Sequence, residues 1–182
     1  GRAALGRGPE ALVAEADREQ WDARYREEGP CARQPSPLVT GLDDLLPRAG
    51  RALDVAGGAG RHSVWLARRG LAVTLVDVSP VGVDLARRAA AAAGVSLDAR
   101  VVDLEREPLP GPWDLIVDFH YLQRSLFPAF AQALAPGGLL VFVQPTVVNL
   151  ERHPRPGPAH LLAEGEAANL VAGLPLEVVR LD

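Results

Sequence analysis

The chain has 182 residues, 48% of them hydrophobic, and a formal net charge of −4. That length and apolar content close one domain around one core and exclude a disordered chain. Mixed charge without a basic block argues against a nucleic-acid backbone as the main partner, and no apolar run reaches the ~20 residues of a membrane span.

Along the chain, residues 1–8 are rich in Gly and Arg and are expected to be loose. Pro9–Ala16 and Asp17–Glu28 read as helix, with Asp17 as a cap and Gly29-Pro30 as the stop. Cys31–Pro37 is a turn-rich linker, which divides an N-terminal segment, 1–37, from the main unit, 38–182. Leu38–Leu46 reads as a short helix. Arg51–Ala56 reads as a strand, Arg61–Arg69 as a helix closed by Gly70, and Leu71–Asp77 as a second strand. Ser79 caps a helix with Pro80 at its first position, and Gly94 ends it. Leu97–Asp103 and Trp113–Phe119 are further strands. Tyr121–Leu134 is helical with an interruption at Pro128. Pro136-Gly137-Gly138 turns into a strand at Leu139–Gln144. A Pro-rich loop spans Val147–His160, a helix Ala163–Ala172 and a last strand Leu176–Leu181. This alternation implies a doubly wound α/β fold, a mostly parallel sheet with helices on both faces. Ligands of such sheets bind at the carboxyl ends of the strands.

Four acids sit at those ends: Asp54, Asp77, Asp103 and Asp118. The most informative stretch joins two of them. Gly57, Gly58 and Gly60 follow Asp54 and open a helix, so freed backbone N–H groups face an anion or a close-lying ligand. Asp77, at the tip of the next strand, suits a ribose diol. Two cofactors compete. A dinucleotide loop wants Gly or Ala where Ser63 stands, and Asp54 would repel a pyrophosphate. The same carboxylate favours an ammonium group. A ligand with an ammonium, a carboxylate and a ribose describes S-adenosylmethionine (SAM) better than NAD.

ALDVAGGAGRHSVWLARRG with VTLVDVSP resembles the first two motifs of the class I SAM-dependent methyltransferases. VVDLEREPLP, WDLIVDFHYL and LAPGGLLVF resemble the motifs that follow. WDARYREEG, GRHSVWLA and FHYLQRSLFPAF look closest to the small bacterial tellurite-resistance and thiopurine-type branch. The likeness implies a Rossmann-like fold, SAM as cofactor, S-adenosylhomocysteine (SAH) as product, and a small-molecule methyl acceptor. It implies that Asp54, Gly57, Gly58 and Gly60 hold the amino-acid half of the cofactor. Asp77 would hold the ribose, Val78 one face of the adenine, and Asp103 and Leu104 the adenine edge. Asp118 would hold the ammonium end or serve the fold. His120 and Tyr121 would stand at the reacting end, His120 as a base or as a solvated loop histidine. The N-terminal segment would form a lid over the cofactor, and Trp21 and Tyr25, on one face of its helix, would lend aromatic surface to the cofactor's cation or else dock the helix on the core. Family members usually add a seventh strand, so its absence after Asp182 points to truncation.

The competing readings are a nicotinamide-dependent oxidoreductase and a SAM-binding protein without turnover. The loop bearing Arg152, His153, Arg155 and His160 would admit an anionic substrate or simply be solvated. His153 and His160 lack a third ligand at a recognised spacing, so no metal is expected. The single cysteine, Cys31, reads as passive and cannot form an internal disulfide, which fits the cytoplasm. Gly1 in first place and the absence of Met read as processing or trimming of the chain, or as methionines missing from the sequence as given. All 19 cationic side chains are Arg, as in a GC-rich genome. Oligomeric state has no signature here.

Overall fold

A computed structural model describes residues 9–30 and 34–182, with side chains described from Glu15 onward. The expected looseness of residues 1–8 and the passive role of Cys31 fall outside the described residues. Five strands form one sheet in the order β3-β2-β1-β4-β5. They are β1 Arg51–Val55, β2 Ala72–Asp77, β3 Asp98–Val101, β4 Trp113–Phe119 and β5 Leu134–Val143. All four pairings are parallel. The chain order reverses between β1 and β4, which is where a ligand crevice opens in sheets of this kind. The fold is the doubly wound one expected.

Helices cover both faces because the strands are apolar on both sides. On one face Ala52, Val73, Leu115 and Val117 pack with Val39 and Leu66. On the other, Leu53, Val55, Val76 and Ile116 pack with Trp113, Phe127 and Phe130. The helices are α1 Pro9–Glu28, α2 Pro37–Thr40, α3 Arg61–Arg68, α4 Pro80–Ala93, α5 Phe127–Ala133 and α6 Glu166–Val171. Ser79 caps α4 through its side chain, which accepts from the Gly82 N–H, and Gly94 closes it in the left-handed region. Among the described residues no helix is long and apolar enough to cross a membrane.

Several elements depart from expectation. The first helix is continuous, so Asp17 lies inside it rather than capping a second one. The short helix after the linker ends at Thr40, and turns carry the chain on to Leu46. Pro128 does not interrupt a helix. It stands in the first turn of α5, where its missing N–H costs nothing, after a 3₁₀ turn at Arg124–Leu126. β5 begins earlier than expected. Trp113 pairs with Leu134 and Leu115 with Leu139, so Pro136-Gly137-Gly138 bulges out of the ladder. Leu176–Leu181 is not a strand. Val178, Val179 and Leu181 are exposed, and the segment does not join either edge of the sheet.

Candidate active site

A cavity of about 250 Å³ opens over the carboxyl ends of β1, β2 and β4. Its floor is the loop after β1, from Ala56 to Gly60. The turn is tight. Ala56 has φ +48, one of two non-Gly residues with positive φ among those described. The other is His120, φ +69, on the opposite rim. Left-handed backbone at non-Gly residues is held only where surrounding structure enforces it, and it clusters at sites.

Asp54 is 1% exposed and lines the cavity. Its Oδ2 accepts from the Ser63 hydroxyl at 2.5 Å. Its Oδ1 is buried and has no partner. Burial raises its pKa to about 6, against the Ser63 hydrogen bonds. A buried carboxylate oxygen without a partner, on a residue that lines the cavity, fits a cationic donor such as an ammonium. Asp77 accepts from the Gly58 N–H at 2.8 Å and, with its other oxygen, from the Ser79 N–H at 2.8 Å. Burial pushes its pKa up as well. Each oxygen keeps a second lone pair for a ligand hydroxyl.

The pleat separates the third strand acid from these two. Asp54 and Asp77 share a sheet face with Ala52 and Val73, against α3 and α4, whereas Asp118 shares a face with Ile116. Asp118 is buried, does not line the cavity, and accepts from the Tyr121 N–H at 3.3 Å. It therefore shapes the turn that presents His120 and Tyr121. The structure does not bring it to the cavity with the other acids.

Val78, Asp103, Leu104 and Tyr121 line the same cavity as Asp54, Asp77 and the three glycines. One Asp103 oxygen already accepts from the Glu105 N–H at 3.1 Å. His120 is held by its N–H donating to the Val143 carbonyl, and its ring lies 4.3 Å from Phe119. Burial and the Arg61 charge lower its pKa, so the imidazole is neutral near pH 7. Burial pushes the Tyr121 phenol upward, leaving it a hydrogen-bond donor. Tyr25 reaches the cavity from α1, with Trp21 stacked on it at 5.8 Å.

Two of the lining residues that sequence left without a role, His62 and Arg61, bear on the site's geometry. His62 is buried, its ring is 4.6 Å from Phe119, and its Nε2 accepts from the Ser36 N–H at 3.3 Å. Its pKa is lowered to about 4, first by burial, so it stays neutral and ties residue 36 to the site. Arg61 lies over the Phe119 ring at 5.0 Å, and Phe119 thus carries three neighbours. The only signal for Arg61 and His62 was their place directly after Gly60. By contrast, Arg152, His153, Arg155 and His160 are exposed and do not line the cavity. Of the two readings of that loop, this placement agrees with the solvated one. Among the described residues no group of three or more His, Cys, Asp or Glu is placed to hold a metal.

Comparison with known proteins places this geometry. Residues 52–138 match the family model described as a methyltransferase domain. The chain is 32% identical over 127 residues to the ubiquinone biosynthesis O-methyltransferase of Xanthomonas axonopodis pv. citri, covering 66% of this chain and 53% of that one. It is 33% identical over 108 residues to the tRNA 5-carboxymethoxyuridine methyltransferase of Escherichia coli K12, covering 54% and 41%. The chain thus spans about half the length of these relatives. A TehB-like SAM-dependent methyltransferase from Corynebacterium glutamicum has the same fold, with a TM-score of 0.60 at 19% identity over 91% of this chain and 84% of that one.

Proposed function

We propose that this chain, a class I SAM-dependent methyltransferase by fold and by domain match with SAM as its cofactor, methylates a small molecule at the His120–Tyr121 end of the cavity. The observation that carries the reading is the orphan Oδ1 of Asp54 beside a glycine floor and the doubly anchored Asp77. These residues fit the ammonium and the ribose of SAM. Val78 and Leu104 offer apolar surface and Asp103 an acceptor for the adenine.

When bound, SAM supplies a methyl group on sulfonium whose leaving group is a neutral thioether. The chain has little chemistry left to add beyond positioning and exclusion of water. His120 takes the acceptor's proton as the acceptor–carbon bond forms, and Tyr121 orients the acceptor. Relatives act on different acceptor classes, so charge is the guide. Six lining side chains are acids (Asp17, Glu28, Asp54, Asp77, Asp103, Glu105) and two are Arg (Arg24, Arg61). A phosphate backbone would be repelled from such a wall. A compact, neutral acceptor suits it better.

The reading is tested by methyl transfer from labelled SAM across a small-molecule panel and an RNA panel, beside thermal shifts with SAM, SAH and NAD(P)H. Stabilisation by NAD(P)H alone would replace it with an oxidoreductase. Replacing His120 by Ala is expected to leave SAM affinity intact and to slow turnover about 10²–10⁴-fold. A large affinity loss would move His120 into the cofactor pocket.

Asp54 gives a pH signature. Its carboxylate, pKa about 6 in the free protein, must be ionised to hold an ammonium. SAM affinity is expected to fall as pH drops below about 6, by up to about tenfold per unit, with proton release on binding. Stability of the free protein should move the opposite way. In that window the folded state binds more protons at Asp54 than the unfolded state, so this residue's contribution falls as pH rises from about 4 to 7. Calorimetry in buffers of different ionisation enthalpy reads the proton directly. Affinity flat across pH 5–7 would remove Asp54 from the ammonium.

A further inference from the structure

Asp22 sits on α1 yet is only 8% exposed. Its Oδ1 accepts from the Ser79 hydroxyl and from the Val81 N–H at 3.4 Å. Its Oδ2 lies 3.6 Å from the Arg26 guanidinium on its own helix. Ser79 is the residue that caps α4 and donates its N–H to Asp77. One carboxylate on α1 is thereby joined, through one serine, to the acid on the cavity floor. Three residues further along α1, Tyr25 lies over the floor itself. A Cβ added at Gly58 would meet the Tyr25 hydroxyl, and one at Gly82 would sit 2.8 Å from the Tyr25 ring. Trp21, Arg24, Tyr25 and Glu28 make α1 a wall of the cavity.

We propose that Asp22 is a positioning residue: its grip on Ser79 and Val81 clamps α1 in place as the cavity wall, so that bound cofactor leaves only when α1 lifts. The proposal rests on the SAM reading. A carboxylate accepting an O–H and an N–H at the first turn of a 14-residue helix makes charge-assisted bonds at the positive helix end. A buried acid on a helix otherwise rich in solvated charge is costly unless those donors hold it. The geometry also explains why the wall lies so close. Gly58 and Gly82 are the two places where a side chain would push Tyr25 away.

The test uses the full chain and two variants, Asp22→Ala and Asp22→Asn. Asn keeps an oxygen that accepts from Ser79 and Val81. In amide hydrogen exchange without ligand, Asp22→Ala is expected to speed exchange in residues 17–28 while leaving β1 and β2 protected. Its SAM dissociation constant should rise about tenfold, chiefly through faster release, with Asp22→Asn staying within about threefold of the parent. Parent-like release of SAM from Asp22→Ala would overturn the clamp. So would exchange that rises evenly across the sheet, which marks a purely structural role. A parent chain that does not bind SAM at all would instead remove the cofactor reading, and the exchange experiment would still judge whether Asp22 holds α1.

Discussion

Replacing Asp77 by Ala is expected to weaken SAM binding by tenfold or more, about 1.4 kcal/mol, and to destabilise the free protein as well. Two effects combine. The carboxylate's remaining lone pairs are those that a ribose diol would use, so affinity falls directly. The same side chain holds the Gly58 and Ser79 N–H groups, both in buried surroundings. Stripping their acceptor leaves each unsatisfied at a cost of about 1–3 kcal/mol. Calorimetry with SAM and urea denaturation separate the two. Lost stability with unchanged affinity would reduce Asp77 to a strut for the glycine floor. Asp77→Asn is informative because it keeps only one acceptor for two backbone donors, so its stability should lie between those of the parent and Asp77→Ala.

Gly60→Val should be the most damaging single change on the floor. Gly60 has φ +82, and a Cβ there would lie 2.9 Å from the Ala86 Cβ, where α3 begins beside α4. A β-branched residue meets both penalties. The left-handed backbone costs about 1–2 kcal/mol, and forcing a side chain into packed space adds about 1–3 kcal/mol. The expected result is a loss of about 2–5 kcal/mol in unfolding free energy, with SAM binding reduced below detection. A stable Gly60→Val protein with parent affinity would show that the floor need not be this tight.

The sequence carried the fold well where the signals were local. Ser79, Pro80 and Gly94 bound α4 in the structure as they do on paper, and Trp113–Phe119 is the strand expected. It failed where tertiary context decides. Pro128 reads as a break in isolation but fits the first turn of a helix that starts later. Leu176–Leu181 alternates like a strand, but whether a segment docks on a sheet edge is decided by tertiary contacts, which no local pattern supplies. The rim acids were legible as a group because they recur at strand ends. Their separation was not, since a strand's period of two sends Asp54 and Asp118 to opposite faces. His62 and Asp22 were missed for another reason. Each acts through a partner distant in the chain, Ser36 for one and Ser79 for the other.

A glycine floor flanked by Asp54 and Asp77 suits a sulfonium nucleoside. Isothermal titration of the purified chain with SAM tests it most directly. Saturable binding of one SAM per chain is expected, with SAH competing for the same site. Silence toward both ligands, or saturation by a nicotinamide dinucleotide in their place, would contradict it.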